Sequence, residues 1–219
     1  MIGMKGLSRT YRVRRREAGL GNALKSLVSR DDTLVPALQN MSFTVPDGQI
    51  LGYIGPNGAG KSTTIKILSG ILRPDSGTCT VDGLTPWEDR KKHVARLGVV
   101  FGQRSQLWWD VPVMESFLLL RDIYRVDERE FRENLDRLTE LLDLGELLRT
   151  PARMLSLGQR MRCEIAAALL HGPRVLFLDE PTIGLDAVSK LKVRSFILEQ
   201  NRLCGTTVLL TTHDMQDID

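Results

Sequence analysis

The sequence of 219 residues predicts an α/β protein with a mostly parallel central sheet. A glycine-rich segment, residues 55–62, lies between a short apolar strand and a run with helical character. From about residue 112 to 149 the pattern is helical and free of strands, which predicts a helical subdomain. Short apolar segments elsewhere alternate with helical stretches, the βαβ pattern of a parallel sheet. These strands are predicted at about residues 49–54, 97–101, 175–179 and 206–211.

The first part of the chain predicts a smaller antiparallel sheet. Residues 1–13 and 37–45 have strand character, and residues 77–81 form a further strand before the turn at Asp82 and Gly83. Residues 12–36 separate the first two strands and begin with several arginines. They predict either a solvated loop or a short helix over Ala18–Val28, and the segment would in the second case contact lipid headgroups or a partner.

Within the helical stretch, apolar side chains recur at helical spacing after a start at Asp127. We expect them to form the buried face of a helix and not a partner site. They are Phe131, Leu135, Leu138 and Leu142.

Composition excludes several classes of protein. The net charge of +3 is small and the charges are interspersed, so no nucleic-acid surface is predicted. No apolar run is long enough for a membrane span, and no signal-peptide core is present at the N-terminus. Cys79, Cys163 and Cys204 are scattered without metal-ligand spacing, and we expect buried, reduced thiols.

The glycine-rich segment reads G-x-x-x-x-G-K-S, the pattern of a phosphate-binding loop. Its glycines allow successive N–H groups to surround a di- or triphosphate at the positive end of the following helix. Lys61 would reach the β- and γ-phosphates, and Ser62 would bind Mg²⁺. A plain glycine-rich turn is the alternative, which the preceding strand and the following helix disfavour. The expected phosphate contacts are Gly55, Pro56, Asn57, Gly58, Ala59, Gly60, Lys61, Ser62 and Thr63.

A second segment suggests what happens to the phosphate. The apolar run 175–178 ends in Asp179 and Glu180, and ligands bind at the carboxyl ends of strands in an open α/β sheet. Asp179 suits a contact to Mg²⁺, and Glu180 suits the general base that activates water. A strand that simply enters a polar loop is the alternative explanation.

Leu155-Ser156-Leu157-Gly158-Gln159 precedes this acidic strand. With it, the chain resembles the ATP-binding-cassette (ABC) ATPases, whose signature is L-S-G-G-Q. Leu157 departs from the usual glycine, and its bulk must fit near the γ-phosphate side of a dimer interface. From the residues alone, Ser156 and Gly158 near a helix N-terminus form an anion site, although such a serine is usually just an N-cap.

The resemblance covers essentially the whole chain in family order and implies further site residues. It implies that Tyr11 stacks on adenine, that Gln103 binds Mg²⁺ and the attacking water, and that His213 contacts the γ-phosphate. The loop 181–186 follows the catalytic acid, and its Asp186 is implied at the nucleotide. We interpret His93 and His171 as structural residues, His171 as a cation at a helix C-terminus.

The resemblance also implies a domain organisation and partners. Residues 1–103 and 172–219 would form the nucleotide-binding core with the antiparallel subdomain, and about 104–171 the helical subdomain. Two copies would pack head to tail, each ATP lying between the phosphate-binding loop of one copy and Ser156, Gly158 and Gln159 of the other. A separate membrane subunit would place the protein at the cytoplasmic face of the cell membrane. In this family the chain normally continues beyond Asp219, so we expect a longer protein.

Trp108 and Trp109 follow Gln103 in a predicted loop, where adjacent tryptophans are costly to expose. They either contact the membrane subunit or pack internally. The run from Phe101 to Val113 is similar to ATPases that partner ABC-2-type exporters, which favours export.

Two other classes share part of the pattern. A soluble ABC-type ATPase acting on ribosomes or nucleic acid would carry the same nucleotide motifs, but such proteins have two cassettes, a long coiled coil or zinc insertions. A P-loop kinase or GTPase would not explain residues 156–159, and the guanine-reading N-K-x-D is absent.

Overall fold

The computed structural model describes residues 1–14, 32–102 and 104–214 of the chain. Gln103 and the middle of the predicted 12–36 insertion, residues 15–31, lie outside the described residues. The strands form two sheets: a three-stranded sheet of order β2-β1-β4 and a four-stranded sheet of order β3-β7-β6-β5. The strands are β1 (Ile2–Arg14), β2 (Asp32–Val45), β3 (Ile50–Ile54), β4 (Ser76–Val81), β5 (Leu97–Phe101), β6 (Val175–Asp179) and β7 (Thr207–Thr212).

The three-stranded sheet is antiparallel, as predicted, and β1 agrees with the predicted strand 1–13 to within one residue, but β2 begins at Asp32 and not at residue 37. Tyr11 pairs with Val35 and Thr10 with Pro36, so both flanks of the predicted insertion are strand. The expectation of an insertion up to residue 36 was therefore wrong for residues 32–36, and the suggested helix over 18–28 lies outside the described residues. Pro36 is compatible with this position because β2 is an edge strand among the described strands, and prolines within sheets are largely confined to edge strands.

The four-stranded sheet is parallel throughout the described strands. Its register pairs Phe101 with Asp179 and Asp179 with Thr211. Ile54, which precedes the glycine-rich loop, pairs with Thr212 on the other side of β7. The register therefore brings the carboxyl ends of all four strands to one edge, where the site lies.

Helices connect the strands, and those between β5 and β6 build the predicted helical region. Phe131, Leu138 and Leu142 are buried and Leu135 packs against the same cluster, which confirms the prediction for this face. Two short 3-10 turns, Leu147–Arg149 and Ala152–Met154, lead to the helix after Ser156. The helices are α1 (Lys61–Leu68), α2 (Arg90–Val94), α3 (Val113–Tyr124), α4 (Glu128–Leu142), α5 (Leu157–Leu169) and α6 (Ala187–Cys204).

The parallel sheet is covered by apolar side chains on both faces. Along β6, Leu176 and Leu178 belong to the cluster formed with the helical region. Val175 and Phe177, which point to the other face, belong to the cluster formed with the antiparallel sheet and α1. All five residues of β6 are buried, as expected for a continuous apolar run in a parallel sheet.

Two predictions about single residues were wrong. Cys204 is exposed at the end of α6, whereas Cys79 and Cys163 are buried and burial raises the pKa of each thiol to about 12. His171 is no cation, since burial lowers its pKa to about 4. Its ring stacks on Tyr124 with centroids 3.8 Å apart, and its Nε2 lies 3.2 Å from the carbonyl oxygen of Leu97.

Among the described residues, no helix is both long and apolar enough to cross a membrane.

Candidate nucleotide-binding site

The glycine-rich loop connects β3 to the first turn of α1, and two of its glycines have left-handed backbone. The φ angles are 86° at Gly58 and 85° at Gly60. A Cβ at Gly60 would lie 2.3 Å from the carbonyl oxygen of Ala37, so the approach of β2 also excludes a side chain there. The amides of the first turn of α1 have no intrahelical acceptors, and this end of the helix attracts anions. The loop therefore has the backbone of a phosphate cradle.

Lys61 lies at the centre of this edge and is only 4% exposed. Its Nζ donates to the carbonyl oxygens of Gly55, at 2.7 Å, and Pro56, at 3.1 Å. The same Nζ is 3.4 Å from Glu180 Oε1. The ammonium group is therefore held beside both the loop and the acid, and a phosphate oxygen can replace these acceptors.

Asp179 and Ser62 provide oxygen ligands suited to a magnesium ion. The Ser62 hydroxyl donates to Asp179 Oδ1 at 3.1 Å, so the two oxygens lie side by side. Hard oxygen atoms from one or two protein groups, together with nucleotide phosphates, are the usual ligands of Mg²⁺. The donor set therefore fits this ion.

Thr211 also belongs to the site, and sequence reasoning missed it. Its hydroxyl donates to Asp179 Oδ1 at 2.8 Å and accepts from the backbone N–H of Glu180 at 3.1 Å. One buried hydroxyl thus fixes both acidic residues. The signal that could have found it is the pairing of β6 with β7, which places Thr211 opposite Asp179.

Glu180 follows β6 in a left-handed backbone conformation with φ of 53°. Its carboxylate lies between two cationic or polar partners, Lys61 and His213, whose Nδ1 is 3.7 Å from Oε1. A cavity of about 270 Å³ opens beside it, lined by residues that include Ser62, Asp179 and Glu180. A carboxylate with solvent access in this position can accept a proton from water.

The signature segment forms a capping box at the start of α5. The Ser156 hydroxyl accepts from the N–H of Gln159 at 3.2 Å, and Gln159 Oε1 accepts from the N–H of Ser156 at 2.9 Å. Gly158 is required for packing, because a Cβ there would lie 2.4 Å from the Ser189 hydroxyl oxygen on α6. Ser156 is therefore the N-cap that the sequence offered as an alternative, and Gly158 and Gln159 have structural roles that the sequence did not indicate. Among the described residues that line the cavity beside Glu180, none comes from this segment.

The remaining predicted site residues are Tyr11, Asp186 and Gln103. The Tyr11 hydroxyl is 3.4 Å from the Thr63 hydroxyl, which places the ring beside the first turn of α1. Asp186 is the N-cap of α6, and hydrogen bonds from Ser189 lower its pKa. The geometry of Gln103 lies outside the described residues.

Comparison with known proteins agrees with this geometry. The family model described as "ABC transporter" matches residues 38–183, which is more than half of the chain. The probable multidrug ABC transporter ATP-binding protein YbhF of Escherichia coli is 35% identical over 185 residues, 84% of this chain. The methionine import ATP-binding protein MetN of Histophilus somni is 37% identical over 183 residues, 82% of this chain. The matched region spans 31% of YbhF and 53% of MetN, so both relatives are considerably longer.

A solved structure extends the similarity to nearly the whole chain. It is the dimeric post-hydrolysis state of the ATP-binding cassette MJ0796 bound to ADP and Pi. The two share 26% sequence identity with a TM-score of 0.79, over 99% of this chain and 90% of that chain. The phosphate cradle and the paired acids agree with the family match, and the chain belongs to the ABC transporter family.

Proposed function

We propose that this chain hydrolyses ATP at the edge where Lys61, Glu180 and His213 meet. The proposal depends mainly on one observation: Glu180 Oε1 lies 3.4 Å from Lys61 Nζ and 3.7 Å from His213 Nδ1. Lys61 neutralises charge on the transferred phosphate, Glu180 accepts the proton of the attacking water, and His213 orients the phosphate or the water. Gln103 is proposed to help position the water.

The other contacts follow from the loop and its neighbours. Ser62, Asp179 and Gln103 would hold Mg²⁺, which neutralises charge on the phosphates when bound. The loop amides of residues 55–63 surround the phosphates, and Tyr11 stacks on adenine beside Thr63. Thr211 orients Asp179 and Glu180 from β7 through its single hydroxyl.

Two copies of the chain are proposed to enclose two ATP molecules. Ser156 lies at the N-terminus of α5, a helix of 13 residues, and its segment is absent from the lining of the cavity beside Glu180. A segment with this anion-binding character therefore suits the nucleotide of a second copy. In the same arrangement, the nucleotide of the second copy is also contacted by Gly158, Gln159 and Asp186. The dimeric state described for MJ0796 supports this proposal.

The work of the ATPase is proposed to be export through a separate membrane subunit, at the cytoplasmic face of the membrane. Trp108 and Trp109 are 59% and 50% exposed, so they are available to a partner and do not pack in the core. The similarity of residues 101–113 to ATPases of ABC-2-type exporters favours export. The import protein MetN has comparable identity, so the direction of transport is proposed from the motif and not from overall similarity.

Glu180→Gln tests the assignment of the base. The amide keeps the shape of the carboxylate but accepts no proton at neutral pH, so hydrolysis should fall by about 10²–10⁴-fold. ATP should still bind, because Lys61, Ser62 and Asp179 are intact. Phosphate release and equilibrium binding of a fluorescent ATP analogue measure the two properties separately. Near-wild-type hydrolysis would show that the base lies elsewhere.

The same variant tests the composite site. Without hydrolysis the ATP-bound pair should stay closed, and size-exclusion chromatography with ATP should show a dimer. Adding Ser156→Arg should return the chain to a monomer, since the bulk and charge of arginine would occupy the pocket across the interface. A dimer that persists with Ser156→Arg would contradict the head-to-tail arrangement.

A further inference from the structure

Glu164 is a buried carboxylate in the middle of α5, two turns after Ser156. It is 4% exposed, and both of its oxygens accept hydrogen bonds from the loop that follows β5. Oε1 accepts from the Ser105 hydroxyl, and Oε2 accepts from the N–H of Gln106 at 3.1 Å. The nucleotide site described above does not use this carboxylate.

The same loop is fastened to α5 by further bonds. Gln106 Nε2 donates to the backbone carbonyl oxygen of Glu164 at 3.2 Å and to that of Val99 in β5 at 3.5 Å. The N–H of Leu107 donates to the Ser105 hydroxyl oxygen at 3.1 Å. Side chain and backbone of the loop are therefore joined to one helical position.

The two exposed tryptophans come next in this loop, and Trp109 contacts α5 nearer to the N-terminus of the helix. The guanidinium of Arg160 lies over the ring of Trp109, 5.4 Å from its centroid. Arg160 and Glu164 are one helical turn apart and lie on the same face of α5. The helix thus contacts residues 104–109, here called the tryptophan loop, at two successive turns, and the first of them is next to Ser156.

The chemistry of Glu164 makes this attachment specific. Burial raises its pKa, and the hydrogen bonds from Ser105 and Gln106 counter that rise. An aliphatic side chain would leave the Ser105 hydroxyl and the Gln106 N–H without this acceptor, and a buried polar group that loses its partner destabilises the contact. The part of the attachment that involves Ser105 and the Gln106 N–H therefore needs an acceptor at position 164.

We propose that Glu164 is a positioning residue that makes the tryptophan loop move as one body with α5. A displacement of α5 when its Ser156 end meets ATP is then passed directly to Trp108 and Trp109. The inference rests on the proposed function, in which that end of α5 contacts nucleotide and the tryptophans face the membrane subunit.

Tryptophan fluorescence tests the proposal in the full chain. The parent protein carries Glu180→Gln, to retain ATP, and Trp87→Phe, which leaves Trp108 and Trp109 as the emitters. MgATP is titrated while emission and acrylamide quenching are recorded, and equilibrium dialysis with radiolabelled ATP reports binding. The parent should show an ATP-induced emission change, and Glu164→Ala should lose most of it while ATP binding is retained.

Two conservative variants and one control separate positioning from a general loss of structure. Glu164→Gln should keep the response, since its amide oxygen can accept from Gln106 and its NH₂ can donate to the Ser105 oxygen. Ser105→Ala removes one of the bonds and should reduce the response, and it decides the question if Glu164→Ala does not fold. Ser116→Ala removes the acceptor of the Trp108 N–H on α3 and should leave the response intact.

An undiminished response in folded Glu164→Ala, or in Ser105→Ala if the former is unfolded, would overturn the inference. A Glu164→Gln variant that behaves like Glu164→Ala would also overturn it. If the parent binds ATP without any emission change, the tryptophan loop does not follow α5 and this inference alone fails. If the parent does not bind ATP, the proposed function fails first.

Discussion

Lys61 carries a positive charge that is almost completely removed from solvent. Two carbonyl oxygens of its own loop and the carboxylate of Glu180 surround the ammonium group. A buried charge of this kind is stable only while it is paired. The same requirement makes it a strong ligand for a phosphate that enters the loop.

Lys61→Ala should weaken ATP binding by about 100-fold or more, since it removes two charge-assisted hydrogen bonds worth about 1.5–3 kcal/mol each. Tyr11→Ala should weaken binding by about 1–3 kcal/mol, the usual contribution of a ring stacked on a base. Titration with a fluorescent ATP analogue measures both. Lys92→Ala, on the exposed side of α2, is the control and should bind normally. Unchanged affinity of the Lys61 variant would contradict the assignment of the loop.

Sequence motifs predicted Lys61, Ser62, Asp179 and Glu180 because their spacing is fixed by local chain geometry. Thr211 was missed because its place beside Asp179 depends on the register of β6 with β7, which joins residues 32 positions apart.

Gly158 was interpreted only as part of an anion site. Its packing against Ser189 is set by the contact of two helices and leaves no trace in either motif alone.

Among the elements, α3, α5 and β5 meet at His171. The imidazole stacks on Tyr124 of α3 and donates from Nε2 to the carbonyl oxygen of Leu97. Its Nδ1 is buried without a hydrogen-bond partner. The sequence suggested a helix C-terminal cation, but the stacking partner comes from a separate helix, so burial could not be read from local pattern.

This contact should make stability fall in mild acid. The pKa of His171 is about 4 in the folded protein against an ordinary 6.5, so its contribution is complete above pH 6.5 and is lost as pH falls towards 4. At pH 5 the loss should be about 2 kcal/mol relative to pH 7.5, because the unfolded chain then binds the proton and the folded one does not. Urea unfolding at both pH values measures this.

His171→Phe keeps an aromatic ring against Tyr124 and removes the titrating group, so it is the matched variant. The variant should be less stable than wild type at pH 7.5, because it lacks the hydrogen bond to Leu97. Between pH 7.5 and pH 5, however, its free energy of unfolding should fall by about 2 kcal/mol less than that of wild type. Equal losses in the two proteins would show that His171 does not titrate in this way. His93, whose pKa burial also lowers, is present in both and cancels in the comparison.

The longest error in the predicted elements concerned β2. The strand was expected to begin at residue 37, directly after Pro36, and the apolar Leu34 and Val35 were assigned to the insertion. In the structure, pairing with β1 makes the chain a strand from Asp32 onwards. Strand ends that are defined by a partner strand and not by an apolar pattern are difficult to predict from local sequence.

At the scale of the whole molecule, the exposed tryptophans should affect binding of the membrane subunit and not ATP hydrolysis. Replacing Trp108 and Trp109 with serine should leave the basal ATPase of the isolated chain within about a few-fold. The same variant should lose capture of the membrane subunit, since tryptophans are common anchors of interfaces. ATPase assays and pull-down with the co-expressed membrane subunit measure the two effects. Retained capture would contradict the proposed interface, and an insoluble variant would show that the side chains are needed for folding.

Glu180 combines a catalytic position with an unfavourable backbone. Its φ of 53° is a conformation that costs a residue with a side chain about 1 kcal/mol or more and costs glycine little. The proposed base is therefore held in place at the expense of folding free energy. Backbone preference alone would favour glycine at this position, whereas the pairing with buried Lys61 and selection for ATP turnover oppose it. Stabilised variants of this protein should for that reason be sought away from the residue after β6.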